Sequence, residues 1–357
     1  LVQPLLKNFG RESTELNIDV ARFNREGALE QFRTRLMDII SQVQSQYHLL
    51  YSARENLEVK RTSLKLAETI LTNTKAQVKA GVLPAMEILN AEFGVATRKK
   101  ELIDAERALS DQVDRLRLLL QIHDAAEIIP VDTPFREDYQ VEESSAIKRA
   151  LESRPDLKQQ RSSLKSSELQ ARVARNQTRP QLDFNASAAF TGLAESYNHD
   201  LERVGSGDYP IWFAGLKLTY PIGNDSAEND YIKSKLKVGQ TRTQISSLEE
   251  TISTDVKSAI RAVRSGYLQL DVTARGRAYA EEVMDAYIKK QKVGLATTKD
   301  LLDVLNNLVT AKGNEIQAVV DYNNAIVALW KSTGEVLERE GITLGGKEAE
   351  ALYEKNR

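Results

Sequence analysis

The sequence contains no cysteine in 357 residues. That absence excludes disulfides, thiolate metal centres and cysteine nucleophiles together. Aromatic residues make up only 6% and prolines number eight, little for a chain whose length would suit two or three ordinary cored domains. No stretch approaches eighteen uncharged apolar residues, so no segment reads as a transmembrane helix. A membrane β-strand is not excluded, since its signal per segment is far weaker. Charge of one sign is missing as well, with 49 Lys and Arg against 51 Asp and Glu and a net charge of -2. Electrostatics therefore offers no reason to expect nucleic acid or an anionic membrane surface as a partner. The opening Leu1-Val2-Gln3-Pro4-Leu5-Leu6 lacks an initiator Met, a basic region and an apolar region. The expectation is that processing or truncation has removed a leader.

What the chain does have is charge and period. Charged residues make up 28%, a composition suited to long helices with narrow apolar stripes. Leu29, Leu36, Val43, Leu50, Leu57, Leu64, Leu71 and Val78 recur every seven residues, and no proline falls between Pro4 and Pro84. A helix over about 12–79 would be roughly 100 Å long at the usual rise per residue. Lys79-Ala80-Gly81-Val82-Leu83-Pro84 then reads as a helix stop and restart, with a glycine C-cap followed by proline. Ile88, Val95, Leu102, Leu109 and Leu116 resume the seven-residue spacing. The pattern predicts an antiparallel helical hairpin with coiled-coil seams.

The second half repeats this plan. A helical stretch over about 226–292 carries Val238, Ile245, Ile252, Val256, Val263 and Leu270. It stops at Lys292-Val293-Gly294-Leu295, and Leu302, Val309, Ile316, Val319, Ile326 and Trp330 follow. Setting Gly81 over Gly294 aligns Glu87-Ile88-Leu89-Asn90 with Asp300-Leu301-Leu302-Asp303. Tyr47 and Tyr267 precede those glycines by 34 and 27 residues, a difference of one heptad, which can be deleted without rotating the seam. The chain reads as an internal duplication. Prolines at 130, 134 and 155 break the region between the halves into short pieces, and Asp156-Leu157 starts a middle helix running to about Asn176.

Two segments alternate with a period of two. Leu182, Phe184, Ala186, Ala188 and Phe190 point one way, against Asp183, Asn185, Ser187 and Thr191. Trp212, Ala214, Leu216, Leu218 and Tyr220 do the same against Lys217 and Thr219. Strands of about ten residues can cross an outer membrane when tilted, and Trp212 and Tyr220 stand where interfacial aromatics belong. The polar, glycine-rich 192–210 reads as an exposed loop. The same alternation would also suit a soluble hairpin packed on helices. One strand pair plus a strand remnant at Leu1–Leu5 cannot close a barrel, and open edges are forbidden in lipid. A membrane reading therefore requires several copies of the chain.

In this order, the motifs resemble the TolC-type outer membrane efflux proteins over essentially the whole length. They are Gln3-Pro4-Leu5-Leu6 with Phe9-Gly10, Arg154-Pro155-Asp156-Leu157, Arg179-Pro180-Gln181-Leu182, Tyr220-Pro221-Ile222-Gly223 and the two glycine-centred turns. The fold class implied is mainly α with a few strands. Duplicated hairpins would form a trimeric α-barrel, with strands given to a shared outer-membrane β-barrel. The implied divisions are 1–11 (strand remnant), 12–121 (first hairpin), 122–178 (equatorial region and middle helix), 179–221 (membrane hairpin), 222–338 (second hairpin) and 339–357 (equatorial tail). The family's first strand and the helices before it have no counterpart in this sequence.

The resemblance also implies site residues. Asp300 and Asp303 match a carboxylate constriction at the periplasmic tip, with Glu87 equivalent in the first repeat. Three copies would stack rings of carboxylates into a cation-attracting gate, and crowding should raise some of their pKa values. Asp in a first helical turn is also common for the macrodipole alone. Val293-Gly294-Leu295 matches an adaptor-contact motif, with Gly81-Val82-Leu83 as a partial counterpart, although a C-cap alone would explain the glycines. Ala296 and Gln291 stand where a known relative locks its tip with Arg and Tyr, so that lock does not transfer. The lipid-facing set would be Leu182, Phe184, Phe190, Trp212, Leu216, Leu218 and Tyr220.

His48, His123 and His199 show no metal-ligand spacing, and no phosphate loop or nucleophile elbow occurs. No enzyme, cofactor or metal site is expected. The implied function is a passive homotrimeric exit duct in the outer membrane, reaching into the periplasm and coupled through an adaptor to an inner membrane pump. A soluble coiled-coil tether without a pore is the rival from another class.

Overall fold

The computed structural model describes residues 1–122, 128–192, 197–207 and 210–342. The chain is mainly helical. In order, the elements are β1 (Val2–Pro4), α1 (Arg11–Thr14), α2 (Leu16–Lys79), α3 (Met86–Leu120), α4 (Glu143–Ser153), α5 (Pro155–Gln177) and β2 (Gln181–Phe190). They continue with α6 (Tyr197–Ser206), β3 (Pro210–Thr219), α7 (Asp225–Lys292), α8 (Thr298–Thr333) and α9 (Val336–Arg339). The helix stops at 79 and 292 and the strand bounds fall within a residue or so of the sequence expectation. His123 and the tail from 343 onward lie outside the described residues, as does the side chain of His199.

Two compact units are present, one built from Leu1–Arg33 with Pro155–Glu250 and the other from Thr34–Arg154 with Thr251–Arg357. In the first, β1, β2 and β3 form one antiparallel sheet in that order. The register sets Leu182 opposite Leu218, Phe184 opposite Leu216, Ala186 opposite Ala214 and Ala188 opposite Trp212. Cross-strand partners share a face, so one face of the hairpin is continuously apolar. The other face divides along its length. Asp183 is opposite Lys217 and Gln181 opposite Thr219, but Ser187 meets Phe213 and Ala189 meets Ile211. Only the half at Gln181 and Asp183 is polar, as the alternation predicts.

The segment expected to be an exposed loop contains a ten-residue helix, α6. Asp200-Leu201-Glu202-Arg203-Val204 has no helix breaker, and the helix ends at Gly207, which takes φ +74, a left-handed conformation that glycine adopts most readily. Elsewhere in this unit α5 buries Leu157, Leu169 and Val173. Ion pairs fasten it on both sides, Arg172 to Glu12 at 3.2 Å and Arg242 to Glu168 at 2.7 Å.

The second unit is a bundle of α2, α3, α7 and α8, with α4, α9 and an extended strap. One core cluster gathers Ala67, Ile70, Met284, Leu301, Val304, Leu305 and Leu308, and another gathers Val263, Tyr322, Ile326 and Leu329. The helices approach closely where glycine removes a side chain. A Cβ on Gly94 would stand 2.7 Å from a Leu302 methyl, and one on Gly266 would stand 3.2 Å from Tyr322. The strap over 128–141 is pinned by two neighbours on α8. Asn323 bonds both backbone groups of Phe135, and the Tyr322 hydroxyl accepts from Tyr139 N at 3.0 Å and donates to Glu137 O at 2.5 Å.

The heptad series is only partly the buried seam. Leu50 and Leu57 are buried, but Leu64, Leu71 and Val78 are half-exposed, and the buried line continues through Ser63, Ala67, Ile70 and Thr74. A straight α-helix drifts against a seven-residue repeat, so the core contact passes to the next row of side chains.

Candidate functional site

The two helical turns lie together in the second unit and are built alike. Gly81 and Gly294 adopt φ +74 and +77. Gly81 N donates to Val78 O at 3.0 Å and Val82 N to Gln77 O at 2.9 Å. Gly294 N donates to Gln291 O at 3.0 Å and Leu295 N to Lys290 O at 2.9 Å. Each set is a Schellman cap, which satisfies the last carbonyls and reverses the chain. Val82, Val293 and Leu295 are left exposed on the outside of the turns, while Leu83 is half-buried.

The two restarts differ. α8 begins with a capping box: Thr297 Oγ1 accepts from Asp300 N at 3.1 Å, and Asp300 Oδ2 accepts from Thr297 N at 2.9 Å and from its hydroxyl at 2.7 Å. Those bonds, the backbone one foremost, hold the Asp300 carboxyl below the usual carboxylate range in the single chain. Ala85 stands at the start of α3 and offers no capping side chain. Glu87 reaches across instead, accepting from Thr298 N at 3.1 Å. Asp303 is exposed, with no hydrogen bond or ion pair among the described residues. The three carboxylates divide: Asp300 caps its own helix, Glu87 joins the two hairpins, and Asp303 has no partner among the described residues.

Behind the turns lies a buried polar layer that the sequence reading missed. Thr74 and Thr298 are fully buried with hydroxyls 3.3 Å apart, and Gln77 donates to Gln291 O at 3.3 Å. Ala296 and Gln291 are also buried. The spacing of Thr297 and Asp300, a Thr followed three residues later by an acid, marks the exposed cap beside this layer and not the layer itself. Nothing in Thr74 or Gln77 alone marks them, since they meet α8 and α7 only through tertiary packing.

At the sheet, the pairing puts Leu182, Phe184, Leu216, Leu218 and Trp212 on one face, as expected, and alternation puts Phe190 on it too. Tyr220 stands one residue beyond β3 and is exposed. Leu182 and Phe184 are half-buried, whereas Trp212, Leu216 and Leu218 are open. Among the described residues no helix is long and apolar enough to cross a membrane, and no cluster of His, Asp and Glu has metal-binding geometry.

Comparison with known proteins accords with this geometry. The chain is 24% identical over 288 residues to the outer membrane efflux protein BepC of Brucella suis, covering 80% of this chain and 58% of BepC. It is 22% identical over 303 residues to the pyoverdine export outer membrane protein OpmQ of Pseudomonas aeruginosa, covering 84% of this chain and 61% of OpmQ. The chain thus spans about three-fifths of the length of these curated relatives. The crystal structure of the open state of the MtrE outer membrane channel of Neisseria gonorrhoeae superposes with a TM-score of 0.73 at 18% identity, covering 93% of this chain and 73% of that one. The sequence family described as outer membrane efflux protein matches residues 5–120 and 146–335, and this chain belongs to it.

Proposed function

We propose that this chain forms, as three copies, the wall of a passive exit duct that spans the outer membrane and extends into the periplasm. The supporting observation is the sheet: ten-residue β2 and β3 in full register, with one continuous apolar face. Such a face suits lipid, and its open edges can be satisfied only by strands of further copies. The helical turns form the periplasmic end, where exposed Val82, Val293 and Leu295, with Leu83 beside them and Gly81 and Gly294 at the bends, receive an adaptor. The adaptor and an inner membrane pump open the tip and supply the energy.

Asp303 is the gate carboxylate of this reading. Three exposed, unpaired copies around a three-fold axis would attract cations. Asp300 and Glu87 shape the same constriction by fixing the helix starts. Single-channel conductance of the full-length protein in a planar bilayer tests both statements. Cation-selective steps that lose selectivity in Asp303→Ala support pore and gate. Steps unchanged by the substitution keep the pore and remove Asp303 as gate. Folded, membrane-inserted trimer that never conducts, with or without the adaptor, would sink the duct.

A further inference from the structure

We infer that the boundary between sheet and helices in the first unit binds anionic phospholipid, with Lys7, Arg175 and Arg179 taking the phosphate of a headgroup in the periplasmic leaflet; this rests on the duct proposed above. Ten residues tilted by about 40° give β2 and β3 an apolar band about 25 Å tall. The band ends at the pair Leu182 and Leu218, next to Gln181 and Thr219. The helices α5 and α7 adjoin the sheet at that end. Headgroups occupy about 5–8 Å beyond the hydrocarbon, so the residues just past Leu182 stand at phosphate level.

Three cations gather there. Lys7 N donates to Pro180 O at 3.3 Å, which sets Lys7 beside Arg179. Arg172, Arg175 and Arg179 follow one another along one side of the end of α5. Arg172 faces Glu12 at 3.2 Å, and Arg11, Arg22, Arg33, Arg161 and Arg242 each face a carboxylate as well. Among the described residues, Arg175 and Arg179 are the two arginines of this unit whose side chains have no partner. The acids Asp225 and Glu228 lie in the first turn of α7, after the edge strand β3, where the macrodipole accounts for them.

The loops that carry these cations are already tied together. Asn8 N donates to Asn176 Oδ1 at 2.7 Å, Gln177 Nε2 donates to Asn8 Oδ1, and Asn224 Nδ2 donates to Thr178 O at 3.0 Å. Little ordering then has to accompany binding. Large apolar side chains stand bare on the same loops, Phe9 54% and Ile222 96% open, with Tyr220 exposed beside Ile222. At headgroup level such side chains reach the acyl chains while Lys and Arg extend to phosphate. Cations and apolar tips together fit a phospholipid. A zwitterionic headgroup brings its own cation to the phosphate, whereas an anionic one leaves its charge for the protein.

The full-length protein is reconstituted into phosphatidylcholine vesicles, and spin-labelled phosphatidylglycerol and phosphatidylcholine report the motionally restricted lipid at its surface. Phosphatidylglycerol should be preferred at least three-fold. Lys7→Gln with Arg175→Gln and Arg179→Gln should bring the ratio close to one, while Arg175→Lys with Arg179→Lys should keep most of the preference. Loss in the lysine variant too would overturn recognition by charge. A triple variant as selective as the parent, or a conducting parent with no preference, overturns the site and leaves the duct. If inorganic phosphate abolishes the preference where chloride of equal ionic strength does not, the cations serve free phosphate and the lipid reading fails. A protein that restricts neither lipid and never conducts overturns site and duct together.

Discussion

The side-chain amide of Asn323 holds Phe135 by both backbone groups, accepting its N–H at 2.9 Å and donating to its carbonyl at 3.0 Å. A helix residue thereby does what a neighbouring strand would do for an extended segment. Asn323 is itself buried and donates to Val319 O at 2.8 Å as well. Asn323→Leu keeps the branching at Cγ, though with a larger side chain, and leaves the Phe135 groups without partners. The loss should be about 1–3 kcal/mol, seen as a lower Tm and as new protease cleavage within 128–141. An unchanged cleavage pattern would show that the strap is held elsewhere.

Gly266→Ala tests the close approach of α7 and α8. In an open helix the change would stabilise by about 1 kcal/mol. Here the added Cβ would stand 3.3 Å from the Tyr322 backbone, which cannot rotate away as a side-chain end can. We expect a net fall in Tm, whereas Gly239→Ala, with nothing within 4 Å, should raise it.

At the tip, stability and selectivity should separate. Thr297→Ala removes the N-cap and should cost about 1 kcal/mol, while Asp303→Ala should leave the melting curve unchanged. The Asp300 carboxyl is depressed by its bonds to Thr297. Its contribution is therefore fully present above the unfolded value of about 3.9 and lost as pH falls through the depressed folded value. Hydrogen exchange at the start of α8 should be flat from pH 7 to 5, after correction for intrinsic rates, and faster only below about 4. A rise near neutrality would contradict the cap.

His48 should report on the α2–α8 contact. Burial pushes its imidazole below the usual histidine value, while its Nδ1 lies 2.9 Å from Asn324 Oδ1 and that bond opposes the shift. The unfolded chain takes up the proton first, so stability falls as pH drops from about 6.5 through the depressed value. The NMR titration midpoint of His48 should lie below 6.5, and His48→Asn should flatten the dependence of Tm on pH between 7 and 5. A midpoint at or above the ordinary value would place the ring in solvent.

Features set by local chemistry were legible before the structure. Gly81 and Gly294 announce their turns because only glycine takes that conformation cheaply, and the alternation from Leu182 to Phe190 fixes a strand face. Tertiary choices were not. The buried line moves from Leu57 to Ser63, Ala67, Ile70 and Thr74, a row that no hydrophobic count would select. Helix α6 was hidden by the glycines around it. Asp300 and Asp303 share a spacing and a charge, and only the Thr297 hydroxyl beside one of them separates their roles.

The edges of the three-stranded sheet set an order of events. A lone copy entering lipid would carry the unmet amides and carbonyls of the outer side of β3, each costing several kcal/mol in hydrocarbon. Under the duct reading, the chain must therefore wait in water until its siblings are aligned beside it. Arrival in the bilayer becomes a collective step, steep in protein concentration and resistant to being reversed one subunit at a time. Newly made copies would accumulate as membrane-free intermediates whenever synthesis is slow, and biogenesis would be timed by encounter, with insertion following at once.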